Sequence, residues 1–242
     1  MNLKFITTSW DDGHPQDFRI AELLDKHRLQ ATFYIPRANP EHIVMQENRV
    51  QELSQKFEIG GHTINHLRLT PAERQNFEHE INGCYKWLKQ ITSTEPLSFC
   101  FPGGVYDDYS IEYVKRSGYK IFRTTELLSV EAIDELQLLP TTLQLYEHKK
   151  FTYFKHLLKR GKINNFVQWL QSGPTADLLK LVDYFIQVIN KRGHGCLHVW
   201  GHSWEIEEFS LWSKLEQVLK HLSQQADFSF VPNKELYTKS SV

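Results

Sequence analysis

"LKFITTSWDDGHPQDFRIAELLDKHRLQATFYIP", residues 3–36, places two short runs rich in β-branched and aromatic residues on either side of a segment with apolar residues at helical spacing. The first run, 3–10, reads as a strand, and so does 31–36. Between them, 15–29 reads as a helix with Pro15 in its first turn. The alternation continues outward. Residues 48–57 read as helix, 58–62 as a short strand, and 70–91 as one long helix with Thr70 as N-cap and Pro71 in its first turn. Residues 97–104 and 119–125 read as strands around a helix at 107–118 that ends at Gly118. Irregular chain with short strands within 136–146 follows, then a mostly helical stretch over 149–192. The pattern resumes with "GCLHVWGH" (195–202) as a strand, 209–225 as a helix and "FSFVP" (228–232) as a last strand. Repeated strand–helix alternation predicts an α/β fold with a largely parallel sheet and helices outside it.

The chain has 242 residues, 40% of them hydrophobic, with a formal net charge of −1. That size supports a large core, and the charge excludes a nucleic-acid surface driven by bulk positive charge. No apolar stretch approaches the roughly 18 residues of a transmembrane helix. The start, "MNLKFITTSW", lacks the apolar region and cleavage site of a signal peptide, so the expectation is a cytoplasmic protein. Cys84, Cys100 and Cys196 are odd in number and widely spaced, which fits neither a disulfide framework nor a metal knuckle. They read as small buried apolar residues. With no repeat or linker, the simplest organisation is one domain, 1–242, with a mostly helical insertion at 126–192.

Chemistry gathers where the strands end. The first strand runs into Asp11, Asp12 and His14; the third into His62 and His66; the fourth into "FPGGVYDD" (101–108); the late strand into His198, Trp200, His202 and Glu205. In parallel α/β folds these ends share one face, so distant segments should converge there. His62 and His66 are four apart, a spacing that puts both rings on one side of a helical turn. Two neutral imidazoles and one carboxylate make a three-ligand site with open positions for a catalytic divalent cation. Adjacent aspartates repel, and a cation would offset that repulsion. One could bind it while the other acts as general base on the attacking water. Each motif also has a plainer reading: "DDG" is a common turn, and histidine pairs arise easily in a chain with twelve histidines.

Taken together, the motifs resemble those of the polysaccharide deacetylase family, carbohydrate esterase family 4, with its NodB-homology domain. "SWDDGHP" resembles T-F-D-D-G, "HTINH" fits H-[ST]-x-x-H, "CFPGG" resembles R-x-P-[YF]-G, and "HVWGHS" resembles L-x-H-D. The resemblance covers residues 3 to about 125 and resumes from about 193 to 232. It implies a distorted (β/α) barrel of about seven strands. It also implies a metal-dependent hydrolase that removes an acyl group, N-acetyl foremost, from an amino sugar or glycan precursor, using one divalent ion. Zinc is the first expectation, with cobalt, nickel or manganese as alternatives.

The resemblance carries roles onto this chain. Asp11 matches the catalytic base, and Asp12, His62 and His66 match the metal ligands. The backbone N–H of Gly103 matches the oxyanion donor. The general acid is His202 or, as the alternative, His198. Tyr106, Trp200 and Trp204 are aromatic residues that could wall a sugar ring, and His14, directly after D-D-G, could touch substrate or support a metal ligand from behind. Two departures stand out. Cys100 occupies the place of the family arginine that orients the base, with Arg123 a candidate substitute. The aspartate that tunes the late histidine has no match, although Glu126 and Asp134 lie in the corresponding region. These gaps leave two alternatives: a small-molecule cyclic amide or imide hydrolase of the same superfamily, or a non-catalytic sugar-binding relative.

Overall fold

The computed structural model describes residues 3–132, 137–146, 175 and 177–240. The strands are β1 (Lys4–Asp11), β2 (Thr32–Ile35), β3 (Glu58–Gly61), β4 (Ser98–Cys100), β5 (Ile121–Arg123), β6 (Leu138–Leu139), β7 (Leu143–Gln144), β8 (Gly195–His202) and β9 (Ser229–Phe230). The α-helices are α1 (Asp17–His27), α2 (Glu47–Ser54), α3 (Gly83–Thr92), α4 (Asp108–Arg116), α5 (Leu178–Arg192), α6 (Ser203–Glu208), α7 (Trp212–Ser223) and α8 (Asn233–Ser240).

Among the described residues every strand pairing is parallel. The order is β6-β5-β4-β3-β2-β1-β8-β7, with β9 beside β1. β6 and β7 sit at opposite ends of that order, yet Leu139 and Leu143 are four residues apart in sequence and span at most about 14 Å. The two edges are therefore brought round towards each other, and the sheet curls into the expected distorted barrel. β6 and β7 are the short strands anticipated within 136–146. Of the helical stretch expected at 149–192, α5 is described; 147–174 and Asp134 lie outside the described residues.

Strand alternation separates two environments. On one face of β1, Ile6 and Trp10 join a large apolar cluster with Ile20 and Leu24 of α1, Phe185 and Ile189 of α5, and Leu215 and Leu219 of α7. On the other face Thr7, Ser9 and Asp11 line a polar interior, all buried. Its floor is tied by α8: Thr7 Oγ1 donates to Asn233 Oδ1 (2.8 Å), and Asn233 Nδ2 donates to the Tyr34 hydroxyl (2.9 Å). Side-chain caps start two of the helices. Asp107 and Ser110 form a reciprocal cap on α4, and Asp177 caps α5 by accepting from Leu179 N at 3.0 Å.

The long helix expected over 70–91 is broken into three pieces. A 3-10 turn spans Pro71–Asn76, a π-helical turn spans Glu78–Asn82, and only Gly83–Thr92 is α-helical. Thr70 makes no side-chain capping bond. The cause is the neighbouring loop: the Glu80 carbonyl accepts from Ile64 N (3.0 Å), while its carboxylate accepts from Asn65 N (2.9 Å) and Asn65 Nδ2 (2.7 Å). The π turn, a device common at functional sites, clamps the loop that carries His62 and His66.

Candidate active site

Register brings the site together. Asp11 on β1 pairs with His202 on β8, and Cys100 on β4 pairs with Arg123 on β5. Consecutive strand residues point to opposite faces, so Asp11 and Asp12 could not both reach the site from a continuous strand. Asp12 leaves the strand with φ 79°, a left-handed conformation that aspartate tolerates better than most residues. Gly13 continues at φ 63°, where an added Cβ would lie 2.6 Å from Ile35 Cγ2, so the turn requires glycine.

His62 and His66 converge without the helical turn expected from their spacing. They lie in a loop after β3 in which Thr63 (φ 62°) and His66 (φ 55°) are left-handed. Leu67 N donates to Thr63 Oγ1 at 2.9 Å and closes the loop, which is the job of the hydroxyl residue inside H-T-I-N-H. The ring centroids are 5.0 Å apart. His62 Nδ1 lies 2.8 Å from the Cys100 carbonyl and must donate to it, which turns Nε2 towards Asp12.

Asp12 Oδ1 lies 3.6 Å from His62 Nε2 and 3.2 Å from His66 Nε2. It is buried and has no hydrogen-bond partner. An orphaned carboxylate oxygen facing two imidazole nitrogens is the donor set of a divalent cation, so the residues present fit such an ion. Burial raises the Asp12 pKa, but the facing His62 ring and the charges of His202 and His66 outweigh it and hold the carboxyl well below its usual range. Burial, with the charge of His62 beside it, lowers His66 to about 4, which keeps its ring neutral at physiological pH. Burial also opposes charge on His62, but Cys100 and Asp12 outweigh it and lift that ring well above the usual histidine range. A cation would have to displace that proton.

Asp11 is held by Arg123, whose Nη2 donates to Asp11 Oδ1 at 2.6 Å and also contacts Oδ2. Arg123 is fully buried, with its guanidinium 4.3 Å from the Trp200 ring centroid. The strand that follows Cys100 in the sheet thus supplies the guanidinium, from the position paired with Cys100. The Cys100 thiol itself lies 3.8 Å from Asp11 Oδ2, and burial pushes its pKa up.

His202 sits at the mouth of β8, with Nε2 3.9 Å from Asp12 Oδ2. Its Nδ1 lies 2.6 Å from Glu205 Oε2, which also accepts from Gln144 Nε2 at 3.1 Å. Burial lowers the His202 pKa, but Glu205 first and Asp12 next outweigh burial and raise it. Glu205, which the sequence places only at the end of the late strand, is the carboxylate that meets His202. The H-x-x-E spacing at the start of α6 was its signal.

His198 lies deeper on the same strand face and is 1% exposed. Its Nε2 is 2.9 Å from Ser9 Oγ and its Nδ1 3.2 Å from the Pro140 carbonyl. Burial and the Arg123 charge lower it to about 3. Burial and these two partners make it a neutral histidine of the core, beneath the site. Trp200 is also buried, edge-on to His202 at 5.4 Å, so it walls Arg123 and His202 rather than offering an open face to a sugar. Gly103 is exposed at φ 61° in the turn Pro102–Gly104, at the end of β4. Tyr106 packs at 4.9 Å on Phe101. His14 is half-buried on the turn after Asp12, and its Nδ1 accepts from Gln16 N at 3.2 Å.

The polysaccharide deacetylase family profile matches residues 1–122, just over half of the chain. The chain belongs to the polysaccharide deacetylase family. A peptidoglycan-N-acetylglucosamine deacetylase of Bacillus cereus is 30% identical over 125 residues, covering 49% of this chain and 55% of the relative. The peptidoglycan-N-acetylmuramic acid deacetylase PdaA of Bacillus subtilis is 25% identical over 196 residues, covering 79% of this chain and 68% of the relative. This deacetylase-family chain thus spans little more than half the length of the first relative. In structure it is similar to the Xyl-CE4 domain of a multidomain xylanase from the hindgut metagenome of Trinervitermes trinervoides. The TM-score is 0.61 at 16% identity, covering 100% of this chain and 93% of that one, which shows the shared fold. No helix among the described residues of this family member is long and apolar enough to cross a membrane.

Proposed function

We propose that the chain is a metal-dependent hydrolase that removes an N-acetyl group from an amino sugar of a polysaccharide or glycan precursor. The buried, unpartnered Asp12 Oδ1 facing two imidazoles carries this reading, because it asks for a cation where the family chemistry needs one. A divalent ion held by Asp12, His62 and His66, zinc foremost, would supply a Lewis acid and lower the pKa of water. The protein residues do the rest. Asp11, oriented by Arg123, takes a proton from the attacking water. The Gly103 N–H is the donor we assign to the developing oxyanion. His202, kept protonated by Glu205, gives its proton to the leaving amine. Water and amide are consumed, and acetate and the free amino sugar are formed.

The two motif gaps that favoured other readings are filled from elsewhere in the fold. Arg123 takes the place of the missing arginine, and Glu205 that of the missing late aspartate. Both relatives' names specify deacetylation of peptidoglycan sugars, which supports N-acetylated glycans over cyclic amides. The test is acetate release from N-acetylglucosamine oligomers and from peptidoglycan fragments by protein supplied with zinc or cobalt. Release that is lost in Asp11→Asn supports the reading. No release from any N-acetylated sugar, with turnover of a cyclic amide or imide instead, would overturn it.

A further inference from the structure

Asp12 has two oxygens with opposite surroundings. Oδ1 is unpartnered and faces the two histidines. Oδ2 accepts a hydrogen bond from Trp204 Nε1 at 2.8 Å. Two histidine rings lie against the Trp204 ring. His42, from the loop after β2, stacks on it at 3.9 Å with 18° between planes, and His202 lies 5.2 Å away at 31°. The His42 stack takes one face of the indole.

We infer that Trp204 is a positioning residue for the metal site. Its N–H occupies Oδ2, so Asp12 offers the cation one oxygen, Oδ1, and the His42 stack keeps the indole in that pose. This rests on the reading of Asp12, His62 and His66 as ligands. A carboxylate restrained through one oxygen cannot swing to chelate through both, which keeps a coordination position open. Partners that hydrogen-bond a metal ligand are worth about 10–100-fold in metal affinity. The arrangement also links the loop carrying His42 to the cation through two contacts.

Cobalt(II) binding tests this without any turnover assay. Native protein, Trp204→Phe, His42→Ala and His62→Ala would each be titrated with Co2+, reading affinity by chelator competition and coordination by the visible spectrum. Folding would be checked by circular dichroism. Trp204→Phe keeps the ring and loses the N–H, and should bind about 10–100-fold more weakly. Its spectrum should show the weaker bands of a higher coordination number as Asp12 becomes free to bind through both oxygens. His42→Ala, at a partly exposed position, should show the same changes to a smaller degree, and it carries the test if Trp204→Phe does not fold. Native-like affinity and spectrum in the folded variants would overturn the role of Trp204 while His62→Ala, binding nothing, upheld the ligand set. Equal binding by native protein and His62→Ala would instead overturn the ligand set, and this inference with it.

Discussion

Replacing Arg123 by cysteine removes the guanidinium that pairs with Asp11, and the size of the loss can be worked from burial. Arg123 is fully buried and the Asp11 side chain is 4% exposed, so water cannot screen the charge left behind. Removing one partner of such a pair costs about 3–5 kcal/mol. For a chain of this size each kcal/mol lowers the melting temperature by about 2–4 °C, so Arg123→Cys should melt about 6–20 °C below native. Turnover should fall with it, because Asp11 loses the guanidinium that orients it. The informative variant is the swap. Cys100 is the register partner of Arg123, and its thiol already lies 3.8 Å from Asp11. Cys100→Arg combined with Arg123→Cys keeps total volume and returns a guanidinium to Asp11 from β4. It should recover part of both stability and acetate release relative to Arg123→Cys alone. The assay is thermal unfolding beside acetate release at matched cation concentration. A single variant that melts within about 2 °C of native would refute the reasoning, since that is the shift expected for less than 1 kcal/mol. A double variant no better than the single would show that the position of the charge, not its presence, is what Asp11 requires.

Asp11→Asn should abolish hydrolysis with cation binding intact, whereas Asp12→Ala and His62→Ala should lower both; elemental analysis beside acetate release separates the cases. His202→Ala should cost at least about 100-fold in rate, as removal of a general acid does, and His198→Ala should act mainly on the melting temperature. The reverse order would move the acid to His198. Glu205 raises the His202 pKa, so the acid form persists to higher pH and is lost as pH rises through that raised value. Glu205→Gln should therefore shift the alkaline limb of the rate profile to lower pH, and an unmoved limb would sink the assignment. Asp17 is fully buried and bonded to Ser203 Oγ at 2.5 Å; burial first, then the charges of Asp12 and Asp11, raise its pKa well above the ordinary range. Folding then takes up a proton above the unfolded value of about 3.9, and native stability falls as pH rises towards the folded value. Asp17→Asn has no proton to take up, so its melting temperature relative to native should climb from pH 4 to pH 8; a constant difference would refute the shift.

The alternation of strands and helices, the carboxylate pair and the H-T-I-N-H pair were legible in the sequence because each depends on residues close along the chain. Hydrophobic period and turn chemistry act locally, and β8 follows its predicted span, Gly195–His202. Local reading failed where a neighbour intervened. The helix expected over 70–91 gave up its regular hydrogen bonds to hold Asn65, and the histidine pair converged through left-handed backbone rather than a helical turn. What the sequence could not rank was pairing at a distance. Arg123 reaches Asp11 from 112 residues away, and Trp204 reaches Asp12 from 192. Their roles depend on parallel register and on which side chains share the barrel interior. By itself the sequence determined the fold class and the set of groups able to hold a cation and move a proton. Tertiary structure alone decided which groups restrain them, because a buried charge takes whatever partner the packed strands bring within reach.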